Sequence, residues 1–232
     1  MDISLESLPG MVDVTAIMAD ARLSDIEFTC KVAKTYACKS TIVNPCYLTY
    51  TIKNTIGYDD LLNGTTAGFP FGSELTSVKV YAAKQAELMG AQEIDMVMNL
   101  GAFLSGNIKY ARQDIQAVCE SVSLPVKVII EAALLKDTEI AAAAELVARA
   151  GAAFVKTNTG LYQKPTTAEQ VRIIKDAVGD SVLIKASGGI RTADGMLAMI
   201  EAGADRFGIG ARSALAIFSE IDQKLGRKTP EI

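Results

Sequence analysis

The chain has 232 residues, of which 50% are hydrophobic and 6% aromatic, and its 23 basic and 27 acidic side chains give a net charge of -4. No basic block argues for a nucleic-acid partner, and the absence of histidine removes the commonest general base and zinc ligand. No apolar run approaches the roughly 20 residues that span a bilayer, so we expect a cytoplasmic protein with no membrane partner.

Eight short apolar runs have the composition of β-strands. The run Val126–Ile130 is almost continuously apolar, which is typical of parallel strands that are buried on both faces. In chain order, the predicted strands are Met11–Thr15, Ala37–Val43, Leu61–Ala67, Glu93–Met98, Val126–Ile130, Ala153–Lys156, Val182–Lys185 and Arg206–Gly208.

Segments with helical periodicity separate these strands. In Ser77–Met89, an apolar set that includes Val78, Ala82 and Met89 recurs every three or four residues, and Lys79 lies outside this set. The other predicted helices are Ile140–Arg149, Thr166–Val178, Thr192–Ala202 and one that begins after Gly210.

The alternation of strands and helices predicts the fold class. Eight units in 232 residues average about 29 residues each, which favours an α/β fold of the (β/α)8 TIM-barrel type. We expect one barrel domain over residues 1–232. A doubly wound open sheet is the alternative that the pattern leaves open.

Two lysines end neighbouring strands of this predicted barrel. Lys156 ends one apolar run, and Lys185 ends the next run 29 residues later. Adjacent parallel strands lie about 4.8 Å apart, so two ammonium groups at the same height would destabilise each other and favour one neutral, nucleophilic amine. The alternatives are a lysine that only extends to the barrel rim and a pair of cations that bind phosphate.

Two aspartates lie in strands where a carboxylate is unusual. We expect Asp95 either to form a structural ion pair with a core lysine or to act as a proton shuttle or as the partner that positions a lysine. Asp13 alternates with Val12 and Val14, so it points either into the barrel or to its outside.

Glycine-rich turns follow the last two predicted strands. They are Ser187–Arg191 and Gly208–Gly210, and a helix is predicted after the second. In TIM barrels, turns at these two places with a helix N-terminus behind them commonly bind phosphate. The alternative is that the glycines only allow tight turns.

At this point the sequence resembles the deoxyribose-phosphate aldolases from Asp13 to about Ser213. The segments that carry the resemblance are Gly68–Gly72, Glu93–Val97, Phe154–Gly160 and Lys185–Thr192, which read GFPFG, EIDMV, FVKTNTG and KASGGIRT. The resemblance implies a class I aldolase that cleaves 2-deoxy-D-ribose 5-phosphate reversibly to acetaldehyde and D-glyceraldehyde 3-phosphate, without a metal or organic cofactor.

The resemblance also implies roles for individual residues. Lys156 would form the imine, Lys185 would favour its neutral amine by like-charge proximity, and Asp95 would relay protons with Lys185 through water. Asp13 would help to hold a substrate hydroxyl. The residues expected to bind the rest of the substrate and its phosphate are Thr157, Gly160, Gly188, Gly189, Gly208, Gly210 and Arg212.

The chain departs from the family pattern at three places. Asn158 replaces the usual serine after Lys-Thr, and Ile42 stands where many members have a cysteine. After the eighth strand, Ile209 and Gly210 replace small hydroxyl residues, and Arg212 is a candidate substitute for the lost phosphate ligands. This last departure concerns the part of the site that would bind the substrate rather than the lysine chemistry.

Three functions remain open from the sequence. The first is the aldolase named above, with a phosphorylated sugar and an aldehyde as its small-molecule partners and, by family resemblance, a homodimer or higher homo-oligomer as its assembly. The second is a paralogous class I aldolase for another aldehyde or sugar phosphate. The third is a non-catalytic sugar-phosphate-binding barrel, which has no need to crowd Lys156 against Lys185.

Overall fold

The apolar runs form eight parallel strands, as a computed structural model that describes residues 4–232 shows. Each strand pairs with the next along the chain, and the last pairs with the first, so the sheet is a closed barrel rather than an open doubly wound sheet. The (β/α)8 prediction is therefore confirmed. The strands are β1 (Val12–Ala16), β2 (Ser40–Val43), β3 (Leu62–Ala67), β4 (Glu93–Val97), β5 (Val126–Ile129), β6 (Phe154–Lys156), β7 (Leu183–Ser187) and β8 (Arg206–Gly210).

Helices follow the strands and surround the barrel. Within residues 4–232 they are α1 (Leu23–Thr35), α2 (Leu48–Asn54), α3 (Thr76–Leu88), α4 (Leu100–Leu104), α5 (Ile108–Ser121), α6 (Asp137–Arg149), α7 (Ala168–Val178), α8 (Ala193–Glu201) and α9 (Ala211–Lys224). The predicted starts at Thr166 and Thr192 fall within two residues of those observed. The side chain of Thr167 caps α7, and that of Thr192 caps α8.

Helix α3 is turned differently from its predicted orientation. Its periodicity assigned Val78 and Met89 to the apolar face, with Lys79 elsewhere, but Val78 and Met89 are exposed and Lys79 is fully buried. The Lys79 ammonium lies 2.7 Å from the Asp114 carboxylate of α5 and donates to the Val97 carbonyl. A buried ion pair with a distant helix therefore sets the rotation of α3, and an apolar stripe is left on its outer side.

Strand alternation separates apolar from charged side chains. Val12 and Val14 of β1 and Ile94 of β4 belong to the apolar core around the strands, whereas Asp13 and Asp95 point into the barrel. The barrel lumen thus contains charged groups, surrounded by an apolar layer between sheet and helices. None of the helices within residues 4–232 combines the length and apolarity required to cross a membrane.

Candidate active site

A cavity of about 490 Å³ opens at the carboxyl ends of the strands. Its walls come mainly from the ends of β1, β6, β7 and β8 and the turns that follow them, including Thr15, Lys156, Gly160, Gly188 and Arg212. This is the end of a TIM barrel where active sites are found. The cavity is large enough for a sugar phosphate.

Lys156 reaches this cavity from the end of β6. The strand register pairs Lys156 directly with Lys185 of β7, as their 29-residue spacing predicted. Both ammonium groups lie 2.7 Å from the same oxygen, Oδ2 of Asp95. Lys156 lines the cavity whereas Lys185 is fully buried beneath it, so Lys156 is the amine that a substrate can reach.

Charged side chains continue from these lysines down the barrel. Lys185 contacts Asp13 Oδ2 at 2.6 Å, and the same oxygen accepts a hydrogen bond from Lys127 at 3.0 Å. Lys127 also contacts Glu93 at 2.5 Å, and Arg206 contacts Asp13 Oδ1 at 2.7 Å. This set, the lumen cluster, contains the cations Lys127, Lys156, Lys185 and Arg206 and the carboxylates Asp13, Glu93 and Asp95.

The charge balance of the lumen cluster favours one neutral amine. Four basic groups share three carboxylates, so full protonation would bury an unbalanced positive charge, which is costly. Burial lowers the pKa of Lys185 to about 8; the carboxylates of Asp13 and Asp95 oppose this shift, and Lys127 and Lys156 add to it. A proton is therefore released from the cluster close to neutral pH.

Two carboxylates of the cluster, Asp13 and Asp95, remain charged. Burial by itself raises the pKa of Asp95, but the nearby ammonium groups of Lys156, Lys185 and Lys127 outweigh it and hold the pKa below its ordinary range. The pKa of Asp13 is held well below its usual value by Lys127, Lys185 and Arg206, again against the effect of burial. Asp95 is thus a permanent acceptor between the two lysines.

Two residues expected at the substrate lie away from the cavity. Asp13 is fully buried in the lumen cluster, below Lys185, so its oxygens contact cations rather than the space where a substrate hydroxyl would lie. Thr157 is also fully buried, and its hydroxyl donates to the Ser187 carbonyl at 2.9 Å. Neither residue lines the cavity, and the substrate contact that the resemblance implied stays a prediction for both.

The glycines expected to bind phosphate do line the cavity. Gly188 and Gly189 both have positive φ, and a Cβ on Gly189 would lie 2.4 Å from the Pro165 side chain, so neither position tolerates a side chain without distortion. Gly208 makes room for the lysines, because a Cβ there would lie 3.0 Å from Lys185 Cε. Gly160 and Gly210 also lie on the wall.

Arg212 lies at the outer end of the cavity, in the first turn of α9. Its guanidinium is largely exposed, lies 3.4 Å from the Asp25 carboxylate and stacks 5.7 Å from the centre of the Phe28 ring. A cation near a helix N-terminus is unfavourable unless an anion compensates it. Within residues 4–232, Asp25 is the anion closest to Arg212, and this ion pair is solvent-exposed and therefore weak.

The turn after β5 holds the segment that contains Lys156, and this role was not predicted. Glu131 adopts a left-handed conformation (φ 52°), is 3% exposed and accepts hydrogen bonds from the backbone and hydroxyl of Thr159. Burial raises the pKa of Glu131, which the Thr159 hydrogen bonds and Lys156 oppose. The Ile130 amide also bonds the Lys156 carbonyl, so this turn holds β6 at the point where it enters the cavity.

Asn158, the replacement for the family serine, joins three segments. Its Oδ1 accepts from the Ala133 amide at 2.8 Å, and its Nδ2 donates to the Thr166 hydroxyl at 2.6 Å. Thr166 in turn donates to the Ser187 carbonyl. The residue that departs from the family pattern therefore forms buried hydrogen bonds two positions after Lys156, and neither of them involves the Lys156 amine.

Sequence reasoning missed the lower half of the lumen cluster. Lys127 interrupts an apolar strand, and Glu93 lies two residues before Asp95 and so on the same face of β4. Both signals were visible, whereas Arg206 begins its strand, and from that position a long charged side chain can equally extend into solvent. The cavity wall formed by Asp20, Asp25 and Phe28 had no signal, because tertiary packing alone brings it there. Among residues 4–232, no group of three or more His, Cys, Asp and Glu is arranged to hold a metal ion.

Comparisons with known proteins identify chains of similar sequence. The chain is 42% identical over 212 residues to a deoxyribose-phosphate aldolase of Exiguobacterium sibiricum, covering 91% of this chain and 95% of that one. It is 44% identical over 207 residues to a deoxyribose-phosphate aldolase of Finegoldia magna, covering 89% and 96%.

Solved structures give the same result. The aldolase QR15 superposes with a TM-score of 0.86 at 33% identity and covers 94% of this chain and 98% of its own. A deoxyribose phosphate aldolase of Aeropyrum pernix, described as a unique tetramer, superposes with a TM-score of 0.85 at 27% identity, covering 95% and 93%. The profile of the DeoC/LacD family aldolases matches residues 11–220. The chain therefore belongs to the DeoC/LacD aldolase family.

Proposed function

We propose that this protein is a class I aldolase that cleaves 2-deoxy-D-ribose 5-phosphate reversibly to acetaldehyde and D-glyceraldehyde 3-phosphate. The observation that carries the proposal is that Lys156 lines the cavity and shares one oxygen of Asp95 with the buried Lys185. The names of the curated relatives support the substrate.

The proposed reaction begins at Lys156. When Lys185 holds the proton that the two lysines share through Asp95, the neutral Lys156 amine attacks the C1 aldehyde carbon, and loss of water gives a protonated imine. Asp95 and Lys185 relay protons during this loss of water. Asp95 lies within hydrogen-bonding distance of the Lys156 nitrogen, and Lys185 lies within hydrogen-bonding distance of the same Asp95 oxygen.

Carbon–carbon cleavage follows from the imine. The electron pair of the C2–C3 bond moves into the protonated imine and forms an enamine, while the C3 hydroxyl loses its proton and becomes the aldehyde of D-glyceraldehyde 3-phosphate. A proton is then added at C2, and water hydrolyses the acetaldehyde imine and frees Lys156. Amino and carboxyl groups suffice for each of these proton transfers.

The phosphate is assigned to the outer cavity. The backbone of Gly188 and Gly189 and the first turn of α9 at Gly210 and Ala211 line this end, where helix N-terminal amides favour an anion. Arg212 is proposed to turn from Asp25 toward the phosphate when substrate binds. Cleavage of 2-deoxyribose 5-phosphate with release of acetaldehyde tests the activity, and Lys156→Met provides the inactive control.

The altered end of β8 favours a second candidate, a class I aldolase for a different aldehyde or sugar phosphate. Ile209 and Gly210 present no hydroxyl to a phosphate, and the carboxylates of Asp20 and Asp25 line the same region. Comparing kcat/KM for phosphorylated and unphosphorylated aldehydes separates the two. Under the first proposal, Arg212→Ala reduces the preference for phosphate; an Arg212→Ala variant with unchanged phosphate preference contradicts that role.

We propose further that the protein acts in the cytoplasm as a homodimer or higher homo-oligomer. The four cysteines Cys30, Cys38, Cys46 and Cys119 are all unpaired, which suits a reducing compartment. The related Aeropyrum pernix enzyme is described as a tetramer.

A further inference from the structure

Lys127 lies in the lower part of the lumen cluster, to which the proposed reaction gives no role. It comes from β5, is fully buried and does not line the cavity. Its ammonium lies 2.5 Å from Glu93, 3.0 Å from Asp13 Oδ2 and 3.5 Å from Asp95 Oδ1. Removing such charges from water costs free energy, and a buried ionic set is often no more stable than apolar residues of similar volume. Stability alone therefore does not explain a lysine at this position.

Lys127 contacts the oxygen of Asp95 that the two lysines at the cavity leave free. Oδ2 of Asp95 accepts from both Lys156 and Lys185, and within residues 4–232 no hydrogen bond reaches Oδ1. The Lys127 ammonium, 3.5 Å from Oδ1, attracts this side of the carboxylate toward the lower lumen. The attraction keeps Oδ2 turned toward the two lysines that share a proton.

Lys127 also competes with Lys185 for Asp13. The two ammonium groups contact the same oxygen, Oδ2, at 3.0 and 2.6 Å. Burial by itself lowers the pKa of Lys127, but the three carboxylates around it outweigh burial and raise that pKa, so Lys127 stays charged. Burial is the main reason that the pKa of Lys185 is lowered, and the charge of Lys127 adds to it. Lys127 therefore weakens the hold of Asp13 on the Lys185 proton.

The charges that surround Lys127 come from six strands. The sequences of β2 and β3 contain no charged residue, and the other strands supply the inward-facing groups. These groups are Asp13 of β1, Glu93 and Asp95 of β4, Lys156 of β6, Lys185 of β7 and Arg206 of β8, with Glu131 of the turn after β5 close to Lys156. Without Lys127, the lumen cluster would have three cations for three carboxylates and no unbalanced positive charge.

We propose that Lys127 is a positioning residue for the aldolase reaction, because its charge orients Asp95 and destabilises the proton that Lys156 and Lys185 share. Glu93 opposes this effect, since it compensates the charge of Lys127 at 2.5 Å. Neither Lys127 nor Glu93 lines the cavity, so both act through the residues above them. The inference rests on the aldolase function proposed above.

The pH dependence of Lys156 reactivity tests this role. Acetylation by dilute acetic anhydride, mapped by mass spectrometry, measures the neutral fraction of the Lys156 amine and requires no aldol reaction. In the wild-type protein the rate should rise with a midpoint near pH 8. In Lys127→Met the midpoint should move upward by at least about one pH unit, and the rate at pH 7 should fall about 10-fold.

Glu93→Gln makes the opposite change of charge. It leaves four cations with two carboxylates in the lumen cluster, so the midpoint should move to lower pH and the rate at pH 7 should rise about threefold. The double variant Lys127→Met, Glu93→Gln again has one cation in excess, and its midpoint should return toward pH 8. Because the double variant removes a pair rather than one partner, it keeps the test decisive if Lys127→Met alone does not fold.

Lys79→Met is the matched control. Lys79 is also fully buried and lies 2.7 Å from a carboxylate, that of Asp114, but it is outside the barrel lumen. This variant should lose stability for the same reason as Lys127→Met and keep the wild-type midpoint. Cleavage of 2-deoxyribose 5-phosphate at pH 7 should show a kcat about 10-fold lower in Lys127→Met and an unchanged KM.

Unchanged midpoints in folded Lys127→Met and Glu93→Gln, or shifts of both in the same direction, overturn the proposal. Failure of the aldolase function looks different. In that case Lys156 is acetylated with the expected midpoints in every variant, but acetaldehyde and borohydride leave no adduct on the wild-type protein.

Discussion

At the scale of single residues, the site depends on how a buried charge is shared. Asp95 contacts both Lys156 and Lys185 through one oxygen, and only Lys156 is open to the cavity. In the proposed mechanism, a proton passes from Lys156 through Asp95 to Lys185, and the Lys156 amine that lines the cavity becomes the nucleophile. This division assigns covalent chemistry to one lysine and proton storage to the other.

The pH dependence of imine formation tests this division. Burial lowers the pKa of Lys185 to about 8, so the fraction of clusters with a neutral amine rises with pH and is half complete near pH 8. We expect the rate of trapping with acetaldehyde and borohydride to rise in the same way. In Lys185→Met the rise should move to more alkaline pH, and the rate at pH 7 should fall by about 100-fold or more.

Lys175→Met serves as the control, since Lys175 pairs with the exposed Asp180 on the surface. Its profile should match that of the wild-type protein. An unshifted profile in Lys185→Met would show that Lys185 does not take part in the proton transfer.

Glu131 offers a second prediction at this scale. Glu131→Ala removes the acceptor that fixes Thr159 and a negative charge near Lys156, so kcat should fall roughly 10- to 100-fold while KM changes little. Glu131→Gln keeps one acceptor and should recover part of the loss. The exposed Glu145→Gln variant should behave as wild type. Equal losses in the alanine and glutamine variants would assign the effect to charge alone.

At the scale of elements, two turns that follow strands position residues of the cavity wall. The turn after β5 holds the end of β6, and the turn after β7 brings Gly188 and Gly189 to the outer cavity. The Gly189 turn packs against Pro165 of the loop before α7, and the Thr166 amide bonds the Gly188 carbonyl at 2.9 Å. The proposed phosphate contacts therefore depend on backbone positions that two loops hold together.

Gly189→Ala should disturb this arrangement. The new Cβ would lie 2.4 Å from Pro165 at a φ of +75°, so we expect a loss of stability of about 1–3 kcal/mol and at least a 10-fold rise in KM for the phosphorylated substrate. Gly179→Ala is the matched control, with positive φ but no atom within 4 Å of the new Cβ. It should lose stability without a change in KM. A normal KM in folded Gly189→Ala would remove this turn from the substrate site.

The strands and the two lysines at the cavity could be predicted from the sequence, but the orientation of every side chain could not. Apolar runs and the 29-residue spacing located Lys156 and Lys185, because these signals are local or periodic. The rotation of α3 was predicted incorrectly because Lys79 pairs with Asp114, 35 residues away. The left-handed conformation of Glu131 also had no local signal, since glycine or asparagine would normally be expected there.

At the scale of the whole molecule, the lumen cluster joins the function of the barrel to its stability. The chain closes by pairing β8 with β1, and Asp13 of β1 contacts Arg206 of β8 as well as Lys127 and Lys185. Removing one carboxylate leaves several buried cations without compensation. Stability and activity are therefore both expected to respond to changes at this position.

Asp13→Asn tests whether Asp13 is structural, as its burial indicates, or contacts substrate. We expect the free energy of unfolding, measured in urea, to fall by about 3–5 kcal/mol, since Asp13 compensates three buried cations. The exposed Asp180→Asn variant should lose at most about 1 kcal/mol. A stable Asp13→Asn protein with only a raised KM would favour a substrate contact.

The same pairs predict the response to acid. The pKa values of Asp13 and Asp95 are lowered on folding, so their contribution to stability is present above their ordinary value of 3.8 and is lost as the pH falls below it. The urea midpoint should therefore be stable near pH 6 and drop steeply below about pH 4. Asp13→Asn should reduce the steepness of this drop, and an unchanged slope would contradict the account.

The most direct test of the central claim is to map the imine. The protein is incubated with acetaldehyde, reduced with borohydride, digested and analysed by mass spectrometry. We predict an N-ethyl group on Lys156, none on Lys185, and no adduct on Lys185 in a folded Lys156→Met variant. An adduct on Lys185, or no adduct at all on the folded wild-type protein, would contradict the assignment of Lys156 as the Schiff-base nucleophile.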